Sequence, residues 1–136
     1  MEERILFDKE FLLITHEKEN RLIQLRWKRY ANSEEFREGL MAGLKYVNDL
    51  KIERWLANLK NMSVIKEADR IWTNEEWFPQ LYKTNLKKMA IVHSQDVFNN
   101  LSVNKIMSEA KAERFFTVAY FREVDEAHRW LTEIEF

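Results

Sequence analysis

The stretch Trp55–Pro79, WLANLKNMSVIKEADRIWTNEEWFP, decides the fold. It opens on the apolar run Trp55–Leu59, crosses a polar loop, and enters a segment whose Glu67 and Asp69 suit the positive end of a helix. A buried strand, a loop and a helix start, in that order, is where an α/β protein carries its working loop. The helix is predicted to run from Glu67 to about Tyr82. Pro79 has no amide to give to the carbonyl of Glu75, so that helix should bend or restart beside it.

Upstream, Phe11–Glu17 and Arg21–Lys28 flank the polar turn Lys18-Glu19-Asn20. In the second run Ile23, Leu25 and Trp27 alternate with Gln24, Arg26 and Lys28, the period of a half-buried strand, so an antiparallel hairpin is predicted. Asn32 or Ser33 can cap a helix whose stripe Phe36, Leu40, Leu44 and Val47 fades near Leu50. Gly39 and Gly43 lie on that helix, four residues apart. Their ordinary meaning in a water-soluble amphipathic helix is close packing against a sheet.

Downstream, strands and helices alternate. Lys88–Val92 and Phe115–Phe121 are strands. A helix from Ser94, its N-cap, to Ala110, with a break near Asn99-Asn100, separates them, and a last helix runs Val124–Ile134. Both strands are nearly all apolar, which predicts central positions with parallel neighbours. The expectation is one α/β domain over residues 1–136. An N-terminal antiparallel hairpin and successive βα units would form a mixed sheet of about five strands, with about four main helices.

Composition narrows the function classes. The chain has 136 residues, 46% apolar and 33% charged, with only 2 Gly and 1 Pro, which suits a packed core and argues against disorder. A net charge of −1 gives no basic excess of the kind nucleic-acid binders show. There is no Cys, hence no disulfide or thiolate metal site. MEERILFDKE is charged from its second residue and no apolar run reaches spanning length, so a cytoplasmic protein without membrane insertion is expected. His16, His93 and His128 form no ligand-spaced set, so no metal is expected. The two glycines share one helix, so no phosphate loop or nucleotide cofactor is expected either. His93-Ser94 follows a strand, but without an orienting acid or nucleophile elbow it supports no catalytic residue, and no enzyme is predicted.

The order of elements, with Asn58-Leu59 and Ser63-Val64-Ile65 at the loop, resembles the STAS family, named for sulfate transporters and anti-sigma factor antagonists. The resemblance covers roughly residues 21 to 131. It is nearest to small stand-alone bacterial members with a Trp-rich second helix. It implies a regulatory protein-interaction module whose switch is a hydroxyl at the helix start, phosphorylated by a kinase. Here Lys66-Glu67-Ala68-Asp69 stands where the family carries Asp-Ser-Ser/Thr-Gly, and Ala68 occupies the phosphoacceptor position. Phosphorylation there is excluded.

Two candidate sites follow. The first is an interaction loop of Asn61, Ser63, Lys66, Glu67, Asp69 and Arg70, with Glu67 and Asp69 on an exposed first turn, facing another protein of unknown identity. The second is Trp72, Trp77, Phe78 and Tyr82, lining a site for a small apolar, lipid-like ligand. The alternative for these rings is core packing, with Trp72 and Phe78 inside and Trp77 half exposed. The lipid-carrying CRAL-TRIO domains, which share the fold superfamily, are the resemblance's link to that carrier reading. Trp27 and Trp55 lie either on a sheet face left uncovered by helices, as a dimer surface, or beneath the helices. An aromatic content of 13% with five Trp points to self-association as a homodimer.

Overall fold

The computed structural model describes residues 2–133; Ile134, expected to close the last helix, lies outside them. The elements are β1 (Arg4–Asp8), β2 (Leu12–Glu17), β3 (Leu22–Trp27), α1 (Ser33–Leu50), β4 (Arg54–Asn58), α2 (Glu67–Trp72), a π-helical turn (Thr73–Trp77), α3 (Phe78–Leu81), β5 (Lys88–Val92), α4 (Val97–Ala110), a short 3-10 turn (Ala112–Arg114), β6 (Thr117–Phe121) and α5 (Val124–Leu131). With α2, the π turn and α3 running on as one unit, the described residues form four main helical units around one sheet.

The six strands are ordered β1-β2-β3-β4-β5-β6. The pairs β1–β2 and β2–β3 are antiparallel and the remaining three are parallel. The sixth strand, β1, is an addition to the expected five. Its Ile-Leu-Phe core is too short to show a period, and a register shift between Ile5 and Phe7 breaks the alternation that marks a strand. The hairpin forms as expected. Its turn closes without Gly because Arg21 takes a left-handed conformation, φ 48°.

Strands advance in one direction from β3 to β6, and the connecting helices α1, α2–α3 and α4 all join the core on one face. Successive crossovers of one hand produce that arrangement. α5 packs alone on the opposite face, where Ala127 and Leu131 meet Leu22, Leu56, Ala90 and Val92. β5 is central, with all five residues buried. β6 was expected to be central too, but it is the edge: Thr117 and Tyr120 are exposed, because nothing pairs beyond it among the described residues.

Trp27 and Trp55 lie beneath α1, each 2% exposed, so neither contributes to a free sheet face. The glycines explain how α1 sits on such large rings. A Cβ at Gly39 would lie 2.6 Å from both Trp27 Cη2 and Leu12 Cδ2, and one at Gly43 would lie 2.5 Å from Trp55 Cη2. Each glycine is a notch for one indole.

At the other predicted irregularity, the helix is interrupted by a wider turn: Phe78 N donates to Thr73 O, five residues back. That register places Pro79 in the first turn of α3, where a missing amide costs least.

Candidate functional site

The loop after β4 lies at the carboxyl end of the parallel strands, as expected. Leu59 N bonds Val92 O at 3.1 Å, and the buried Asn58 side chain accepts from Lys60 N at 3.2 Å and donates to Gln24 at 3.1 Å. The loop carbonyls are then held from the α4 side. Ser94 Oγ donates to Met62 O at 2.5 Å, Asn99 Nδ2 to Ser63 O at 2.6 Å, and Ser102 Oγ to Ile65 O at 3.3 Å. Met62 and Ile65 are buried as anchors, which leaves Val64 projecting, 42% exposed.

These bonds correct the reading of α4. The helix cap is Asp96, whose side chain accepts from Phe98 N at 2.8 Å, while Ser94 serves the loop. The helix does not break at Asn99-Asn100. Asn99 is fully buried to hold Ser63, and Asn100 exchanges two bonds with the Ser94 backbone, which gives both amides a role compatible with helix.

Of the six expected loop residues, Asn61, Lys66 and Glu67 are exposed and Ser63 is half-buried. Asp69 is not a surface residue. Its side chain is 1% exposed, accepting from Ser33 Oγ at 2.8 Å and Arg37 Nε at 3.1 Å. It ties the first turn of α2 to the first turns of α1, so it cannot also meet a partner. Arg70, with a side chain only 11% exposed, is engaged by Glu109 at 2.7 Å and Glu67 at 3.4 Å, joining α2 to α4.

The four aromatic residues divide. Trp77 is core, the reverse of its expected half exposure, and its indole N–H donates to Leu40 O at 2.8 Å. Trp72 is half-buried, with the Arg37 guanidinium 5.2 Å from its ring centre. Trp77 and Phe78 line a cavity of about 80 Å³ between sheet and helices, together with Trp55, Met62 and Thr73. Trp72 and Tyr82 do not line it. Ligand sites for drug-sized molecules run to about 300–1,000 Å³, and even benzene fills an engineered cavity of about 150 Å³. The cavity is thus a packing gap too small for a lipid chain. Tyr82 stacks on Phe115 at 3.8 Å and 7° and donates to Ala110 O at 2.8 Å; burial pushes its phenol up to about 12.

The first turns of α4 form a surface that the sequence reading missed. Val97, Phe98 and Leu101 are 62%, 64% and 60% exposed. They form a second apolar stripe beside the buried one of Val103, Ile106 and Met107. Two stripes on one helix was the available signal, obscured by Asn99 and Asn100 between them. Leu101 and Lys105 share a cleft of about 260 Å³ with Ile65, Glu67 and Arg70, so the stripe is continuous with the loop and the start of α2. Lys66 and Lys105 have no carboxylate partner among the described residues.

Elsewhere, His128 Nε2 lies 2.9 and 3.0 Å from the two oxygens of Glu17, tying α5 to β2. Among the described residues no three His, Asp or Glu side chains converge to hold a metal ion, and no helix is long and apolar enough to cross a membrane. Comparison with known proteins found no matching family model, curated protein or solved structure.

Proposed function

We propose that the chain is a non-enzymatic protein-interaction module of STAS type, acting in the cytoplasm without a phosphorylation switch. Its working surface is the carboxyl end of the sheet. The observation that carries this reading is the exposed apolar group Val97, Phe98 and Leu101 on α4, with Val64 exposed on a loop whose Met62, Ser63 and Ile65 carbonyls are held. Large apolar side chains held out on a rigid frame lower the ordering cost of association. The unpaired ammonium groups of Lys66 and Lys105 at its rim suit a partner protein whose apolar contact is bordered by carboxylates. The carrier reading draws no comparable support from a cavity of about 80 Å³.

Affinity capture from cells should compare the wild type with Phe98→Asp/Leu101→Asp, both exposed positions. A specific partner is one that the double variant loses, that reconstitutes from purified components at fixed stoichiometry, and whose association slows as salt rises. A partner that binds the double variant equally well would place the interface elsewhere and refute the assignment.

A further inference from the structure

At the opposite, amino end of the parallel strands a groove of about 1,090 Å³ opens between β1, the β2–β3 turn and the end of α1. Its charged lining comprises Arg4, Lys18, Arg21 and Lys51 against Glu19 and Glu53, in a chain whose net charge is −1. Glu53 is already held by Arg21 at 2.9 Å and by Lys87 at 3.5 Å. Arg4, Lys18 and Lys51 have no carboxylate partner among the described residues. They arise from three different elements and surround one volume. Lys51 also stands where the carbonyls ending α1 would otherwise make the rim negative.

His16 lies in the same lining, directly across the ladder from Arg4. It is 8% exposed, and among the described residues no group bonds its ring. Burial, then Arg4 and Lys18, hold its imidazole below the ordinary histidine range, against a smaller opposing pull from Glu17. A buried histidine beside two cations in the lining of a groove, with no bond from its ring to the described residues, is placed where an anion could be recognised. Leu6 and Leu50 add an apolar wall. Pockets of this size hold small organic molecules, and three separated cations call for more than one anionic centre.

We propose that this groove binds a small, multiply phosphorylated molecule, with Arg4, Lys18 and Lys51 on its phosphates and His16 donating a hydrogen bond from beneath. The surface is separate from the protein-binding strip on α4. The test is titration of the full chain with inorganic pyrophosphate and tripolyphosphate at constant ionic strength, followed by heteronuclear NMR. Saturable shifts should centre on Arg4, His16, Lys18 and Lys51. The imidazole titration of His16 should move upward on saturation, because a bound anion favours its charged form. Arg4→Gln/Lys18→Gln, at two exposed positions, should weaken binding at least tenfold (roughly 1.4 kcal/mol) with an unchanged melting profile, while Phe98→Asp/Leu101→Asp binds as wild type. Non-saturating shifts spread over the surface lysines, a His16 titration that does not move, or wild-type binding by Arg4→Gln/Lys18→Gln would each overturn the proposal.

Discussion

Gly43→Ala should destabilise this protein, although the same change in most helix interiors stabilises it. Replacing Gly by Ala gains about 1 kcal/mol of helix propensity. Against that, the new methyl would lie 2.5 Å from Trp55 Cη2, about 0.9 Å inside the 3.4 Å at which ordinary contact begins, with Leu25 Cδ2 at 3.2 Å. The indole borders the gap of about 80 Å³ and is otherwise closely held. It is 2% exposed and meets Trp77 edge-on at 5.3 Å, and Trp77 is fixed in turn by its bond to Leu40 O. Overpacking a core costs about 1–3 kcal/mol, so even with that gap at one side of the ring the net loss should be about 1 kcal/mol, a fall in Tm of about 3–5 °C for a chain of this size. Urea and thermal unfolding of a double-mutant cycle with Trp55→Phe would isolate the cause. Phe lacks the outer ring that the methyl strikes, so Gly43→Ala should become neutral or stabilising in that background, a coupling of about 1 kcal/mol or more. A rise in Tm for Gly43→Ala alone, or the same effect in both backgrounds, would refute the notch.

Three further outcomes are expected. Asp69→Ala should cost about 2–3 kcal/mol, because charge-assisted bonds to Ser33 and Arg37 are lost. Since the Arg37 side chain is 41% exposed, its coupling with Asp69 in a mutant cycle should be only about 1–2 kcal/mol, and a value near zero would deny the tie. Stability should rise with pH through the window from the lowered folded-state value of His16 up to about 6.5, where the unfolded chain holds the proton more tightly than the folded one. His16→Gln should flatten that window in pH-dependent urea melts; an unchanged slope would remove the effect. In an ultraviolet titration, Tyr82 should ionise near 12, and Tyr82→Phe should delete that late step. Because this pKa is raised above the unfolded value of about 10, its contribution to stability is present below pH 10 and lost as pH rises toward 12.

The fold was legible where periodicity and punctuation agree. Alternation in Ile23-Gln24-Leu25-Arg26-Trp27 yields β3, the unbroken apolar run yields a fully buried β5, and Pro79 yields an interruption in the helix after the loop. What stayed hidden depends on groups distant in sequence. Asp69 at a helix start is an ordinary exposed first-turn acid until Ser33 and Arg37, more than thirty residues earlier, meet it. Asn99 suggests a helix break unless the carbonyl of Ser63 is known to lie above it. β6 has the composition of a central strand, and only the strand order makes it an edge. The position of the loop after β4 could be read where the burial of Asp69 could not: strand ends can be read locally, whereas burial of a polar side chain is a tertiary property.

Aromatic content bears on the choice of binding surface in a way that composition alone reverses. Thirteen per cent aromatic residues suggests more rings than a small core can take, and hence self-association. The structure removes much of that surplus. Two glycines seat Trp27 and Trp55, a backbone carbonyl satisfies the Trp77 indole, and Lys88 lies 4.9 Å from the ring of Trp130 on the other face. These four Trp residues therefore give no argument for a dimer. Three of the most exposed large apolar side chains, Val97, Phe98 and Leu101, lie together elsewhere, on the first turns of α4. Those positions neither cap nor brace α4, since Asp96 caps it and Val103, Ile106 and Met107 hold it to the core. Stability supplies no reason for three large apolar side chains in water at that end of the sheet, and the protein-recognition role proposed above would supply one.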